Sequence, residues 1–78
     1  MKCRGIIKTI SENRLNVQMQ TMGRRKIDDT YIVNISEKTK FNCDINQFQI
    51  GSEINIYFNG IVALSLPPQI YAQKIIIK

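Results

Sequence analysis

A group of hydrogen-bonding and aromatic residues in the C-terminal third is the clearest candidate site. The segment Ser65–Gln69 contains two adjacent prolines, and Tyr57 and Tyr71 lie on either side of it. The chain has no histidine to act as a base for a serine nucleophile, so these residue types favour binding over catalysis. We predict a non-enzymatic binding or interaction module whose contact residues are Tyr57, Ser65, Leu66, Gln69 and Tyr71.

The basic residues provide an alternative site. Eleven Lys and Arg against six Asp and Glu give a net charge of +5. Such side chains can follow a phosphate backbone while tyrosines stack on bases. Asp28 and Asp29 directly follow the basic triplet at 24–26, however, which favours a solvated loop as its explanation. The alternative is a weak binder of single-stranded nucleic acid or another polyanion that uses Lys2, Arg4, Lys8, Arg24, Arg25 and Lys26.

Other kinds of chemistry have little support in the sequence. The acidic residues share no motif, and two adjacent ones in a strand point to opposite faces, so they cannot flank one bond. Cys3 and Cys43 are too few for a Cys-only zinc site, although one disulfide between them stays open. We predict no catalytic residue, no metal site and no cofactor. An enzyme, the second alternative, would require a pocket that joins Ser65 to Lys74.

Period-two alternation of apolar and polar side chains predicts the elements that position these residues. Leu15–Gln20 alternates over its whole length, and Ile54, Ile56 and Phe58 share one face of a later segment. The many isoleucines also suit a pleated sheet, because they are branched at Cβ. We predict strands over 2–10, 15–22, 30–35, 53–58 and 71–77.

Two local signals complete the prediction. Asn59-Gly60 is typical of a type I′ hairpin turn and predicts a short return strand over 61–64. Phe41, Ile45 and Phe48 have a helical spacing, which favours one or two helical turns that end at Gly51.

The predicted fold is one all-β domain over residues 1–78. Closing the sheet would remove the exposed edges of isoleucine-rich strands, so we expect a small five- to six-stranded OB-like barrel. One short helical turn would separate strands 3 and 4. The expected core is Ile7, Leu15, Val17, Met19, Val33, Ile35, Ile54, Ile56, Phe58, Ile75 and Ile77.

The C-terminal half contains a recognisable order of residues. Its most specific part is Gly-x-Val-x-x-Ser-x-Pro-x-Gln, followed by Ala-x-x-Ile-x-Ile, within residues 48–77. The residues that make up this order are Phe48, Gly51, Ile54, Ile56, Tyr57, Asn59, Gly60, Val62, Ser65, Pro67, Gln69, Ala72, Ile75 and Ile77. This order resembles the YobA-like family of small, functionally uncharacterised bacterial domains. Leu66 stands where that family usually has an aromatic residue. The resemblance implies a small β domain, frequently exported or lipid-anchored, and implies no activity.

The sequence gives only a general expectation for the binding partner and the cellular compartment. We expect an unidentified ligand or protein partner, and the thin core of so short a chain leaves room for a homo-oligomer. No window is apolar enough for a membrane span, and no signal-peptide core follows Met1. The default is therefore a cytoplasmic protein, and an exported domain whose leader has been removed is the alternative.

Overall fold

The protein is a single curled sheet of seven strands. The computed structural model describes the backbone of residues 1–78 and every side chain except that of Ile45. The strands are β1 (Lys2–Ile10), β2 (Arg14–Met22), β3 (Arg25–Asn34), β4 (Lys40–Phe41), β5 (Glu53–Tyr57), β6 (Gln69–Tyr71) and β7 (Lys74–Ile77). A 3-10 turn spans Ile45–Gln47. The strand order across the sheet is β4-β7-β5-β1-β2-β3-β6.

The first three strands form an antiparallel meander with one face turned inward. Val17 lies opposite Ile7 on β1 and opposite Tyr31 on β3. Because alternate side chains point to opposite faces, Leu15, Val17 and Met19 are all buried on the inner face. Strand β5 then pairs antiparallel with the other edge of β1. The predicted alternation therefore holds in this part of the chain.

Gly5 allows β1 and β2 to approach closely at a bulge. The register between the two strands shifts between Arg4 and Gly5. A Cβ atom on Gly5 would lie 2.5 Å from Cγ1 of Val17 and 2.8 Å from the carbonyl oxygen of Gln18. No larger residue fits without movement of the neighbouring backbone. Bulges also increase the local twist, which helps the sheet to curl.

Two consecutive residues join the ends of the sheet. Strand β6 is parallel to β3 and β7 is antiparallel to β5, although only Ala72 and Gln73 separate them. Ala72 donates its N–H to the carbonyl of Asn34 on β3, and Gln73 donates to the carbonyl of Tyr57 on β5. The sheet must curl into a barrel for adjacent residues to bond its two ends.

The core agrees closely with the prediction. Nine of the predicted residues are buried, and Ile35 and Ile77 are instead half-buried against the same cluster. Cys3, Met22, Phe48, Ile70 and Ala72 are buried as well, although they were not in the expected core. Phe48 packs edge-on against Phe41, with ring centroids 5.3 Å apart. The segment between β4 and β5 therefore supplies the aromatic end of the core.

The predicted hairpin at Asn59-Gly60 is wrong. A type I′ turn needs positive φ at both central residues, but only Gly60 has it, at 90°. Asn59 instead accepts a hydrogen bond from the N–H of Ile61 through its side-chain oxygen. The segment 61–64 forms no return strand, and Ala63 makes a single bridge to Gln69.

Other element boundaries also differ from the prediction. Strand β3 begins at Arg25 rather than at residue 30, so the expected basic loop is reduced to a tight turn at Gly23. The predicted last strand over 71–77 is two strands, because the chain crosses from one end of the sheet to the other. The short strand β4 was missed, and the predicted helical turn is the 3-10 turn at Ile45–Gln47. Seven strands thus replace the expected five or six.

Candidate functional site

The predicted contact residues line two separate grooves. Ser65 and Leu66 lie in one, which we call the loop groove, and Tyr57 and Tyr71 lie in the other, which we call the lysine groove. Gln69 has a different position. Its side-chain oxygen accepts a hydrogen bond from the amide of Asn34 at 3.1 Å, so it joins β6 to β3.

The loop groove lies between β3 and the loop over residues 62–68. It is open to solvent and has a volume of about 820 Å³. Its lining residues are Asp29, Thr30, Tyr31, Val62, Leu64, Ser65, Leu66, Pro67 and Pro68. Tyr31 and Val62 also pack against the core, so the floor of the groove is continuous with the barrel interior.

The loop holds two leucine side chains in water. Leu64 is 97% exposed and Leu66 is 100% exposed. Ser65 donates its hydroxyl to the carbonyl of Pro67 at 2.6 Å and its N–H to the carbonyl of Ala63 at 3.0 Å. Two prolines stiffen the same loop. The loop thus forms hydrogen bonds within itself, while its two leucine side chains stay exposed to solvent.

A free strand edge forms the opposite wall of the loop groove. Strand β6 pairs with β3 only from Ile32 to Asn34, and the N–H of Ile32 bonds the carbonyl of Pro68. Backbone groups two residues apart in a strand point the same way, so the N–H and C=O of Thr30 face the groove. Among the strands of the described chain, none pairs with β3 on that side before Ile32.

The lysine groove lies where the two ends of the sheet meet, around the connection from β6 to β7. It is lined by Ser36, Lys38, Lys40, Tyr57, Asn59, Tyr71, Ala72, Gln73 and Lys74, and its volume is about 730 Å³. The amino group of Lys74 lies 5.8 Å from the centre of the Tyr57 ring, within cation–π range. Three lysines and two tyrosines therefore face one concave surface.

The basic residues singled out in the sequence do not form one patch. Arg4 lies 3.5 Å from a carboxylate oxygen of Glu53, which compensates part of its charge. Lys2 lies beside the turn at Gly23, because the N–H of Gly23 bonds its carbonyl. Lys8 lies six residues further along β1, which is about 20 Å in a strand. Arg24, Arg25 and Lys26 are exposed at the β2–β3 turn.

The two cysteines are free and differ in their surroundings. Cys3 is fully buried, and its thiol contacts the carbonyl oxygen of Ile56 at 3.7 Å. Burial raises the pKa of the Cys3 thiol to about 12, because the thiolate would lose its hydration. Cys43 is half-buried. The disulfide that the sequence left open is absent from the described side chains.

The arrangement required for serine chemistry is not formed. Ser65 lies in the loop groove with its hydroxyl committed to Pro67, and Lys74 lies in the lysine groove. Within the described part of the chain, no three His, Cys, Asp or Glu side chains come together as a metal site would require. None of the helical turns described is long enough or apolar enough to cross a bilayer.

Sequence reasoning missed several residues of both grooves. Leu64 was assigned to a return strand, and Tyr31 was not among the predicted contact residues. No role was predicted for Lys38 or Lys40. A local signal existed only for Leu64, since two leucines flank a serine beside prolines. The lysine groove had none, because it is built by parallel pairing of β4 with β7.

Comparisons with known proteins support the fold. No family model matches the chain, and no curated protein sequence matches it. A crystal structure of CusF with silver(I) superposes with a TM-score of 0.71 at 15% sequence identity, covering 100% of this chain and 96% of that one. The likeness confirms a small OB-like β-barrel. The YobA-like resemblance of residues 48–77 stays a prediction.

Proposed function

We propose that the protein is a non-catalytic interaction module that binds an extended segment of a partner protein in the loop groove. The observation that carries the proposal is the exposure of Leu64 and Leu66 beside the free edge of β3. The bound segment would add a strand to β3 and continue the barrel wall where β6 stops. This mode of recognition uses backbone hydrogen bonds for affinity and side-chain pockets for specificity.

The strand edge supplies the polar part of the interaction. The N–H and C=O of Thr30 point into the groove, in line with the bond that Ile32 makes to Pro68. An unpaired strand edge tends to pair with another chain unless it is blocked. β3 carries no proline, so its edge is open to a partner backbone.

The leucines supply the apolar part. Single exposed apolar residues are ordinary, but here Leu64, Leu66 and half-buried Tyr31 line one concave surface. Apolar surface of this kind, rimmed by polar residues, is typical of protein interaction sites. A bound strand would place alternate side chains against this surface, because its side chains alternate in direction.

Charge adds a further element of specificity. Asp29 is the acidic residue of the groove lining, and it is exposed on the inner side of β3, opposite Met19. The lining contains no lysine or arginine among the described residues. We therefore expect the bound segment to carry apolar residues at alternate positions and one basic residue that reaches Asp29.

The proposal for this chain does not include binding of silver(I), the ion present in the CusF structure. Silver(I) is a soft ion that favours thiolate, thioether and imidazole ligands. This chain has no histidine, and Cys3, Met19 and Met22 are buried in the core. The other two sulfur-containing residues, half-buried Cys43 and exposed Met1, lie in separate segments of the chain. Burial also raises the pKa of Cys3 to about 12, so its thiol keeps its proton at neutral pH.

The test is selection of displayed ten-residue peptides on the wild-type protein, followed by titration of the selected peptide. We expect alternating apolar residues with one Lys or Arg. Thr30→Pro should weaken binding about tenfold or more, because it removes the N–H that faces the groove. Thr30→Val is the matched control, since it keeps the N–H and loses only the hydroxyl that bonds Gln18. Leu66→Ser should also weaken binding without loss of stability.

Amide hydrogen exchange gives a second readout. A strand added to β3 should slow exchange of the Thr30 N–H in the complex. Equal peptide affinity of Thr30→Pro and Thr30→Val would contradict the proposal. Peptides that bind as helices, with no change in Thr30 exchange, would contradict it as well.

A further inference from the structure

We infer that the lysine groove is a second binding site, for a ligand with neighbouring phosphate groups and a planar ring, as in a nucleotide. The inference is independent of the loop groove and rests on different residues. It also differs from the basic surface expected from the sequence, because it uses Lys38, Lys40 and Lys74.

The strand register places two lysines directly side by side. Strand β4 pairs parallel with β7, and Lys40 is the partner of Lys74 in that ladder. Like charges at directly opposed positions destabilise a sheet. Both side chains lie on the exposed face, since the next pair, Phe41 and Ile75, turns toward the core. A bound dianion would convert this repulsion into attraction.

Carboxylates do not compensate these charges. Among the described side chains, the ion pairs join Glu53 to Arg4 and to Lys78. The groove lining contains no Asp or Glu. Glu37 lies in the neighbouring turn and is exposed, but it is not part of the lining. The three lysines therefore produce a local positive potential that favours an anion.

Tyr57 lies between Lys74 and a further lysine on the neighbouring strand. Tyr57 is the partner of Lys74 on one side and of Lys2 on the other. The Tyr57 ring holds the Lys74 amino group at 5.8 Å, which orients this cation in advance. Preorganised groups lose less conformational entropy when they bind a ligand.

Tyr71 supplies the surface for a planar ring. Its side chain is 66% exposed, whereas Tyr57 is half-buried and already faces Lys74. Stacking on aromatic side chains is a common way to hold a base without reading its identity. The volume of about 730 Å³ lies in the range of small-molecule sites. The side chains of Asn59 and Gln73 add hydrogen-bonding groups.

Isothermal titration of the full chain with three probes tests the inference. The probes are ATP, a 5′-phosphorylated eight-residue oligothymidylate and sodium pyrophosphate, which has the charge without the ring. We expect ATP or the oligonucleotide to bind at least threefold more tightly than pyrophosphate. Tighter binding of ATP would identify a free nucleotide as the ligand, and tighter binding of the oligonucleotide would identify a nucleic acid. Both results support the site.

Substitutions locate the binding. Lys40→Gln and Lys74→Gln should each weaken binding about three- to fivefold, and the double variant should reduce the salt dependence of the binding constant. Lys8→Gln is the matched control, because it removes the same charge from an exposed position outside the groove. Tyr71→Leu should weaken ATP binding and leave pyrophosphate binding unchanged.

Several results would overturn the inference. They are the absence of saturable binding for all three probes, an affinity for pyrophosphate equal to that for both ATP and the oligonucleotide, and equal losses in the Lys40→Gln and Lys8→Gln variants. Stability gives an independent readout, because Lys40→Glu should raise the melting temperature by replacing the repulsion with an ion pair to Lys74. A lower melting temperature for Lys40→Glu would show that the two lysines do not repel each other.

Discussion

The antiparallel strands β1, β2, β3 and β5 differ sharply from the segment over residues 58–77. In the first region, neighbouring strands pair over long stretches, and alternate side chains are buried along most of β1, β2 and β5. In the second, the two short strands β6 and β7 lie toward opposite ends of the sheet, and Leu64 and Leu66 are exposed to solvent. Both candidate sites include residues of the second region. The regular sheet therefore provides stability, and residues 58–77, which we call the closing segment, provide exposed side chains for binding.

The physical reason lies in how the barrel closes. Ala72 bonds β3 at one end of the sheet, and Gln73 bonds β5 near the other end. The chain therefore crosses from β6 to β7 within two residues. Only three residues of β6 cover the edge of β3. The incomplete closure creates the loop groove, and the crossing to β7 creates the lysine groove beside Lys74.

The largest expected effect is in the regular sheet, at Gly5. Gly5→Ala should lower the free energy of unfolding by about 3 kcal/mol, because the new Cβ would overlap Val17 and a backbone oxygen that cannot rotate away. Urea denaturation measures this change. Gly51→Ala is the control, since its Cβ would meet open space and only the positive φ of 93° would be penalised, at about 1 kcal/mol. Similar losses of unfolding free energy in Gly5→Ala and Gly51→Ala would contradict the close packing at Gly5.

The two cysteines compare a buried position in the regular sheet with a half-buried position outside it, through the pH dependence of stability. The unfolded Cys3 thiol releases its proton from about pH 9, whereas in the fold its pKa is raised to about 12. Between these values the unfolded state binds fewer protons, so the free energy of unfolding falls as pH rises, by up to about 1.4 kcal/mol per pH unit. Cys3→Ala should lack this contribution.

The measurement is the difference in unfolding free energy between wild type and Cys3→Ala at pH 8, 9 and 10. It should be constant below about pH 9 and shrink above it, because both states keep the thiol proton at the lower pH. Cys43→Ala keeps the buried Cys3 thiol, so its unfolding free energy should still fall above about pH 9. Parallel curves for wild type and Cys3→Ala at pH 9 and 10 would contradict the burial of this thiol.

The smallest effect is expected in the closing segment, at Gly60. Gly60→Val should destabilise the fold by about 1 kcal/mol, because a β-branched residue is strained at a φ of 90°. Gly60→Asn should cost less, since asparagine tolerates positive φ better. Peptide binding in the loop groove should fall only in proportion to unfolding. A larger loss of binding than of folded protein would assign Gly60 to the contact surface.

Much of the fold could be predicted from local patterns. Leu15, Val17 and Met19 were placed correctly because alternation in a strand depends only on adjacent residues. Asn59-Gly60 was misleading for the opposite reason. Its turn propensity is local, but a return strand needs a free neighbour, and the adjacent edge of β5 is taken by β7.

The candidate sites were only partly predictable. Tyr57, Leu66 and Tyr71 stood out by residue type, and the structure divides them between two grooves. Lys40 could not be recognised, because its neighbour Lys74 is far along the chain and is brought beside it by a parallel pairing. Nor could Thr30, whose importance depends on where β6 ends.

The amino-acid sequence by itself determined the all-β class, the inward face of each long strand and most of the core, since these follow from the order of apolar and polar residues along the chain. Only the tertiary structure decided which strands became neighbours, where the barrel stayed open and which side chains met there. Those outcomes depend on the curl of the whole sheet and on pairings between distant residues, which no local pattern records.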